Sequence, residues 1–440
     1  MADDAFAGDW RGQALSGNTI FALSSGTPPA AIAIIRISGP HARSALAQLT
    51  PTPVVPRIAT LRALRDPADA SILDTALVLA MPAPATATGE DIVELHLHGG
   101  RAIVAAVERA LASLPGLRPA LPGEFTRRAF ANGLIDLSQA QGLADLLAAE
   151  TEGQRRAALS MAEGGLRRML DEWRTSFVAM SARCEAALDF ADEADVPGDS
   201  ASLRTEVMAL GMMMRGMLER PPAERLRDGV RVVIAGPPNA GKSTLLNAIA
   251  GRDVAITSPL PGTTRDRIEA PVILRGLPIV LTDTAGLRET ADDVELLGIE
   301  RARRAMVSAD VVLWLGDPSD APSHACVLQV EPKADLGARG WANAVRTSAV
   351  GEPGIGALLD TLEALVRTVL PAGDGLALHA YQRAALAIAV DALDRAAGLD
   401  DELLLAEELR LALSAFDRIT GAADVEHVLD QVFASFCIGK

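Results

Sequence analysis

Gly236-Pro-Pro-Asn-Ala-Gly-Lys-Ser243 is the most informative segment of this sequence for the fold. It follows the apolar run 230–235 and precedes a helix-like apolar spacing at 245–249. A G-x-x-x-x-G-K-[ST] sequence between a strand and a helix is typical of a phosphate-binding loop. Its backbone N–H groups curl around the β-phosphate, Lys242 reaches the β- and γ-oxygens, and the Ser243 hydroxyl ligates Mg²⁺. The sequence therefore predicts a nucleotide-binding domain with a mostly parallel sheet.

Two further phosphate elements follow in the chain. The apolar run 279–282 ends in Asp283-Thr-Ala-Gly286, where Asp283 can reach Mg²⁺ directly or through water and the Gly286 N–H can meet a γ-phosphate. Between the two elements, Gly262-Thr-Thr-Arg-Asp266 is a hydroxyl-rich loop that could cover the nucleotide. Three such elements in this order predict a GTPase-type domain.

The segment that should select the base reads Pro332-Lys-Ala-Asp335. GTPases of this type normally carry Asn-Lys-x-Asp, in which the Asp accepts from guanine N1–H and N2–H₂ and the Lys stem packs on the ring. Proline has no side-chain amide and no backbone N–H. We expect Asp335 to keep the guanine preference, with affinity weaker by about 1 to 2 kcal/mol if one base hydrogen bond is lost. The segment 348–350 fits the last guanine loop.

Composition limits the remaining function classes. A length of 440 residues suggests about three domains at roughly 150 residues each, and 49% hydrophobic residues fit a folded chain. Lys and Arg number 41 against 57 Asp and Glu, a net charge of −16, which argues against binding nucleic acid through a global basic surface. Three cysteines are too few for a disulfide framework. With neither a signal peptide nor a membrane span in the pattern, we expect a cytoplasmic protein that does not bind membranes.

The hydrophobic periodicity changes along the chain. Residues 19–120 predict a mixed α+β domain, in which the run 91–98 is a strand with Glu94, His96 and His98 on one face. That face could hold a metal, or it could be an ordinary solvated face. From Leu137 the spacing becomes helical, and a stripe from Leu166 to Leu188 predicts one long helix. The methionines of 208–217 have helical spacing and are expected in the core.

We therefore expect a multidomain α/β and α protein in which a GTPase domain is inserted into a discontinuous helical domain. The predicted boundaries are 1–132 for the α+β domain, 133–226 for the first helical part, 227–370 for the GTPase domain and 371–440 for the second helical part.

Segments towards both ends of the chain are far more specific than a P-loop. They are Ile34-Ile-Arg-Ile-Ser-Gly-Pro40, Thr88-Gly-Glu-Asp91, Pro122-Gly-Glu-Phe-Thr-Arg-Arg-Ala-Phe130, Asp136-Leu-Ser-Gln-Ala140, Leu405-Ala-Glu-Glu-Leu-Arg410 and Phe436-Cys-Ile-Gly-Lys440. Through these segments and the phosphate elements, nearly the whole chain resembles the MnmE family, also called TrmE, of tRNA-modification GTPases.

The resemblance implies an N-terminal folate-binding and dimerisation domain, and hence a homodimer. It also implies that the chain works with the flavoprotein MnmG, which carries FAD. Together the two proteins install a carboxymethylaminomethyl or aminomethyl group on carbon 5 of the tRNA wobble uridine, using a one-carbon unit from a tetrahydrofolate derivative. The partner would supply most of the tRNA-binding surface, in agreement with the acidic charge of this chain.

The resemblance also implies roles for residues of the GTPase domain. Asn239 and the loop 258–263 would hold a K⁺ ion that stabilises charge on the transferring phosphoryl group. Thr264 would join Ser243 on Mg²⁺, and Glu295 would orient the attacking water. Without the resemblance, Glu295 would be interpreted as a solvated carboxylate at the start of a helix. The residues expected at K⁺ are Asn239, Ser258, Leu260 and Thr263. The residues expected around GTP are Asn239, Ala240, Gly241, Lys242, Ser243, Thr244, Ser258, Gly262, Thr263, Thr264, Asp283, Thr284, Ala285, Gly286, Lys333, Asp335, Ser348 and Ala349.

The folate-contacting positions implied by the resemblance are Arg36, Glu90 and Lys440. A guanidinium can bind the glutamate tail of folate, and the alternative is that Arg36 and Glu90 belong to ordinary strand-end ion pairs. A lysine that the family can place after Gly133 is Leu134 here. The resemblance places Cys437 near the folate site, where its thiol is either catalytic or structural.

Two other functions are compatible with part of the sequence. One is a ribosome-assembly-type GTPase switch with no modification chemistry, which would need a basic RNA-binding module that the sequence lacks. The other is a folate-binding regulator with a degraded GTPase domain, which rests only on Pro332.

Overall fold

The computed structural model describes residues 17–189, 200–251, 269–283, 303–337, 339–371, 376–399, 401–420, 432–433, 436 and 439. The chain divides into two compact units, one formed by residues 1–144 and 424–440 and the other by residues 145–423.

The first unit is built on a six-stranded sheet in the order β3-β4-β5-β2-β1-β6, antiparallel except where β1 pairs with β6. Val93, Leu95 and Leu97 alternate along β5 and are buried, which confirms the predicted strand. They lie in one core with residues of α1 and α2. The elements are β1 (Thr19–Leu23), β2 (Ile32–Ser38), α1 (Ala42–Leu49), β3 (Thr60–Arg65), β4 (Ile72–Met81), β5 (Ile92–His98), α2 (Arg101–Ala112), β6 (Leu117–Pro119), α3 (Glu124–Ala131) and α4 (Leu137–Ala148), whose end belongs to the second unit.

The second unit contains a helical core. The helices are α5 (Glu152–Ala162), α6 (Gly165–Asp189), α7 (Ser200–Glu219) and α8 (Glu224–Arg227), with two more near the end of the chain described below. The predicted stripe is confirmed, because Leu166, Phe177 and Cys184 of α6 are all buried in this core. The expectation for the methionines was wrong in part. Met214 and Met217 are buried, but Met208, Met212 and Met213 are exposed, because a helical period does not reveal how wide the covered face is.

A mostly parallel sheet forms the other core of this unit, in the order β12-β11-β10-β7-β9-β8. Among the strands that the structure describes here, only β8 runs antiparallel to its neighbour, so the predicted α/β class is confirmed. The elements are β7 (Val230–Ala235), α9 (Lys242–Ala250), β8 (Glu269–Leu274), β9 (Leu277–Asp283), β10 (Val311–Trp314), β11 (Val327–Glu331), β12 (Val345–Arg346) and α10 (Gly356–Val369).

The sheet is inserted between helices, as the periodicity predicts. The chain passes from α8 into β7, and after α10 it returns to α11 (Ala380–Ala397) and α12 (Glu402–Thr420), which pack in the helical core. None of the helices described here is both long and apolar enough to cross a bilayer.

A buried histidine lies where the chain returns to the helical core. His379 is 2% exposed, with Nε2 at 3.4 Å from Asp145 Oδ2 and Nδ1 at 3.5 Å from Glu224 Oε1. Burial lowers the pKa of His379, but the two carboxylates outweigh burial and raise it above 6.5. Burial likewise raises the pKa of Glu224, whereas His379 and the Ala380 N–H lower it to about 2.

A pH-dependent stability follows from the raised pKa of His379. Its contribution should be fully present below the unfolded-state pKa near 6.5 and should be lost as the pH rises through the folded-state value. We expect the melting temperature of the wild type to exceed that of His379→Gln most at pH 6 and less at pH 9. Thermal unfolding followed by circular dichroism measures this. The same difference at both pH values would contradict the expectation.

Candidate nucleotide site

The loop 236–241 turns the chain from β7 into α9. Asn239 and Gly241 have φ of 59° and 98°, the left-handed region that lets successive N–H groups face inward. Lys242, at the first position of α9, is 6% exposed, and its Nζ donates to the carbonyl oxygens of Gly236 at 3.0 Å and Pro237 at 2.8 Å. The ammonium therefore lies across the loop, beside the positive end of a helix, where a phosphate would bind.

A carboxylate and a hydroxyl meet beside this loop. β9 pairs with β7 in parallel, and Asp283 is in register with Ile234. Ser243 Oγ donates to Asp283 Oδ2 at 2.5 Å. Hydroxyl and carboxylate oxygens are the hard donors that Mg²⁺ prefers, so this pair is suited to the metal that accompanies a bound nucleotide.

A cavity of about 310 Å³ opens on the other side of the loop. Lys333, whose φ is 57°, donates from Nζ to the carbonyl oxygen of Asn239 at 2.8 Å. Ser348 Oγ donates to Asp335 Oδ1 at 2.5 Å and accepts from the Gly351 N–H at 2.9 Å, which fixes the Asp335 carboxylate. The cavity is lined by Ala240, Gly241, Thr244, Leu245, Pro332, Lys333, Asp335, Leu336, Thr347, Ser348, Ala349 and Val350.

The structure thus brings together the predicted residues of the phosphate loop and of the base-selecting segments. Asn239 to Thr244, Asp283, Lys333, Asp335, Ser348 and Ala349 lie around the P-loop and this cavity. Pro332 lines the same cavity, so a side-chain amide is missing from its wall. The predicted residues outside the described part of the chain are Ser258, Leu260, Gly262, Thr263, Thr264, Thr284, Ala285, Gly286, Glu295, Cys437 and Lys440.

The two predicted folate contacts in the first unit are each ion-paired. Arg36 Nη2 lies 2.9 Å from Glu94 Oε1, its partner across the β2–β5 pair. Glu90 accepts from Ser38 Oγ at 2.7 Å and from Arg128 Nη1 at 3.0 Å. Arg36 and Ser38 are two residues apart, and therefore lie on the same face of β2.

The face of β5 that suggested a metal has other partners. His96 Nε2 lies 3.2 Å from Glu94 Oε2, whereas His98 Nδ1 lies 2.8 Å from Asp74 Oδ1. The two histidines thus contact different carboxylates. Among the residues that the structure describes, no group of three His, Cys, Asp or Glu could hold a metal ion.

Sequence reasoning missed a buried ion-pair network on α3. Arg128 is 2% exposed and contacts Glu124 Oε1 at 3.1 Å, and Glu124 also contacts Arg118 at 2.6 Å. Burial raises the pKa of Glu124, but the two guanidinium groups prevail and hold it below its usual value. The i, i+4 spacing of Glu124 and Arg128 was the available signal. Through Arg128, this network fixes Glu90.

A P-loop on a mostly parallel sheet, with a carboxylate at the end of the neighbouring strand, defines a P-loop nucleotide-binding protein. Residues 19–134 match the family described as GTP-binding protein TrmE N-terminus, and residues 137–437 match the MnmE helical domain. The chain belongs to the MnmE family.

Close relatives match over their full length. A protein of Novosphingobium aromaticivorans is 51% identical and one of Rhizorhabdus wittichii is 53% identical, and both are named tRNA modification GTPase MnmE. The matches cover 96% and 97% of this chain, and 100% and 98% of those proteins. The solved structure of Aquifex aeolicus Era bound to GDP.AlF4− is 29% identical over 37% of this chain and 66% of that one, with a TM-score of 0.24.

Replacing Asp335 tests which base the cavity accepts. In Asp335→Asn the carboxylate that accepts from guanine N1–H and N2–H₂ is lost, and a hydrogen bond to a charged group is worth about 1.5–3 kcal/mol. We expect GTP affinity to fall by roughly 10- to 100-fold. Xanthosine triphosphate should bind better than to the wild type, because its O2 can accept from the new amide. Fluorescent-nucleotide competition measures both affinities, and unchanged GTP binding would contradict the assignment.

Proposed function

We propose that the chain is a K⁺-stimulated GTPase that acts with an MnmG-type flavoprotein in tRNA modification. The two proteins would install a (carboxymethyl)aminomethyl group on carbon 5 of the wobble uridine in the cytoplasm, with the carbon taken from a tetrahydrofolate derivative. One observation carries the GTPase part. The Ser243–Asp283 pair and the cavity lined by Lys333 and Asp335 flank one phosphate-binding loop.

The described residues have distinct tasks in this proposal. Asp335 accepts from the guanine edge, and Ser348 keeps its carboxylate in place. Lys242 exchanges its two carbonyl partners for β- and γ-phosphate oxygens, which concentrates positive charge where the transferring phosphoryl group is negative. Ser243 and Asp283 would hold Mg²⁺, which neutralises charge between the β- and γ-phosphates when bound.

The K⁺ ion and the attacking water depend on residues partly outside the described chain. Asn239, whose amide oxygen is a suitable hard donor, would bind K⁺ together with Ser258, Leu260 and Thr263. Glu295 would orient the water for in-line attack on the γ-phosphorus. The family membership and the position of Asn239 within the phosphate loop support these roles.

For folate, the proposal relies on Arg36 and Glu90 in the first unit, with Lys440 and Cys437. Arg36 would exchange its ion pair with Glu94 for a carboxylate of the folate tail, a bidentate contact suited to a guanidinium. The chain would act as a homodimer, as its family membership suggests, and its net charge of −16 favours leaving most of the tRNA contact to the flavoprotein partner.

Steady-state hydrolysis in matched KCl and NaCl buffers tests the cation. We expect fast GTP turnover only in K⁺ and little ATP turnover in either salt. Removing one group that stabilises transition-state charge typically costs about 10²- to 10³-fold in rate, so Asn239→Ala should lose the K⁺ response. Lys242→Ala serves as the inactive control. Equal GTP rates of the wild type in both salts would contradict the K⁺ site.

Deleting the gene tests the biological role. Nucleoside mass spectrometry of bulk tRNA should lose the modified wobble uridine, and wild-type protein expressed in the deletion strain should restore it. A pull-down from lysate should recover the flavoprotein. Unchanged nucleosides together with recovery of ribosomal subunits would instead favour a ribosome-assembly switch.

A further inference from the structure

The four-residue helix α8 lies at the junction between the helical core and the inserted sheet. It is the last helix before β7, and its consecutive side chains Glu224 and Arg225 contact different parts of the second unit. A flexible linker at this place would let the two parts reorient freely. The contacts of α8 are instead specific on both sides.

Glu224 connects α8 to the helical core. Its Oε1 accepts from the Ala380 N–H at 2.8 Å, which satisfies a donor in the first turn of α11. The same oxygen lies 3.5 Å from the buried His379, which in turn contacts Asp145. Gln154 of α5 donates from Nε2 to the Leu226 carbonyl oxygen at 3.0 Å. Both ends of α8 are thus bound to helices.

Arg225 connects α8 to the inserted sheet. Its Nε lies 2.6 Å from Asp310 Oδ1, and Nη1 donates to the carbonyl oxygen of Val369 at the end of α10. Asp310 precedes β10, and its Oδ2 accepts from the Arg231 N–H of β7 at 2.9 Å. Arg225 therefore binds a carboxylate that is itself fixed to the two central strands.

The segment that leads from α10 back into α11 is hydrogen-bonded to the segment that leads from α7 into α8. Ala223 N–H donates to the Leu378 carbonyl oxygen at 3.1 Å, and Arg383 of α11 donates from Nη1 to the Arg220 carbonyl oxygen at 2.7 Å. The two segments that connect the helical core to the inserted sheet therefore contact each other and do not act as independent linkers. A displacement of β7 and β10 would be passed to the first turn of α11.

We infer that α8 couples the inserted nucleotide-binding sheet to the helical core. Arg225 acts as a positioning residue: through Glu224 and α11, it transmits to the helical core whether GTP or GDP is bound to the sheet. The inference rests on the proposed GTPase function, but it concerns neither the nucleotide contacts nor the chemistry. Arg225 lies at the amino ends of β7 and β10, whereas the P-loop follows the carboxyl end of β7, so its loss should leave hydrolysis nearly intact.

Arg225→Gln and Asp310→Asn in the full-length protein test the inference. Each substitution removes the Arg225–Asp310 ion pair. In Asp310→Asn, the side-chain oxygen can still accept from the Arg231 N–H. We expect GTP turnover within about twofold of the wild type and tRNA modification lower by about fivefold or more, since single links in coupling networks have effects of this order. Arg225→Lys, which keeps the charge, should restore part of the modification.

Arg275→Gln is the matched control. Arg275 also forms ion pairs, with Asp360 at 2.7 Å and Glu363 at 2.8 Å, but all three residues belong to the nucleotide domain. We expect it to leave both turnover and modification within about twofold, because exposed ion pairs contribute little. An equal loss of tRNA modification in Arg275→Gln and Arg225→Gln would overturn the specific role of α8.

Hydrogen–deuterium exchange gives a readout that does not depend on modification. In the wild type, exchange of the peptide covering 379–385 should differ between the GDP-bound and the non-hydrolysable GTP-analogue-bound protein. Arg225→Gln should abolish that difference. A difference that persists, or turnover and modification that fall by the same factor, would overturn the inference. Absence of GTP turnover in the wild type would instead reject the proposed function.

Discussion

The parallel pairing of β7 with its neighbours places the nucleotide-binding segments at one edge of the sheet. β9, β10 and β11 run in the same direction as β7, so their carboxyl ends share one edge of the sheet. The residues that follow β7 form the phosphate loop, Asp283 ends β9, and the segment 332–335 follows β11. Residues up to about 100 positions apart in sequence therefore meet around one loop, as expected for open α/β sheets.

The opposite edge of the sheet has a different task. At the amino ends of β7 and β10, Asp310 accepts from the strand backbone and from Arg225, so the sheet is attached where the chain leaves the helical core. The nucleotide contacts and the Arg225–Asp310 ion pair thus lie at opposite ends of the strands. The nucleotide site can therefore change its contacts while this ion pair persists.

Sequence alone could predict the P-loop, Asp283 and the Lys333–Asp335 pair, because phosphate and base contacts depend on short contiguous segments with fixed spacing. It could not predict the Arg225–Asp310 pair or the Arg128–Glu90 pair. Their partners are 85 and 38 residues apart, and a charged residue carries no local sign of its partner. The ranges of the four predicted segments and the roles of Glu295, Cys437 and Lys440 stay predictions.

Calorimetric titration of the full chain with GDP and ADP in the presence of Mg²⁺ distinguishes a guanine site from a site that accepts any nucleotide. We expect one GDP bound per chain and an affinity for ADP lower by about 100-fold, because adenine offers no donors to match the Asp335 carboxylate and would leave it unpaired. Equal affinity for the two nucleotides would contradict the assignment of the cavity at Lys333 and Asp335 to guanine.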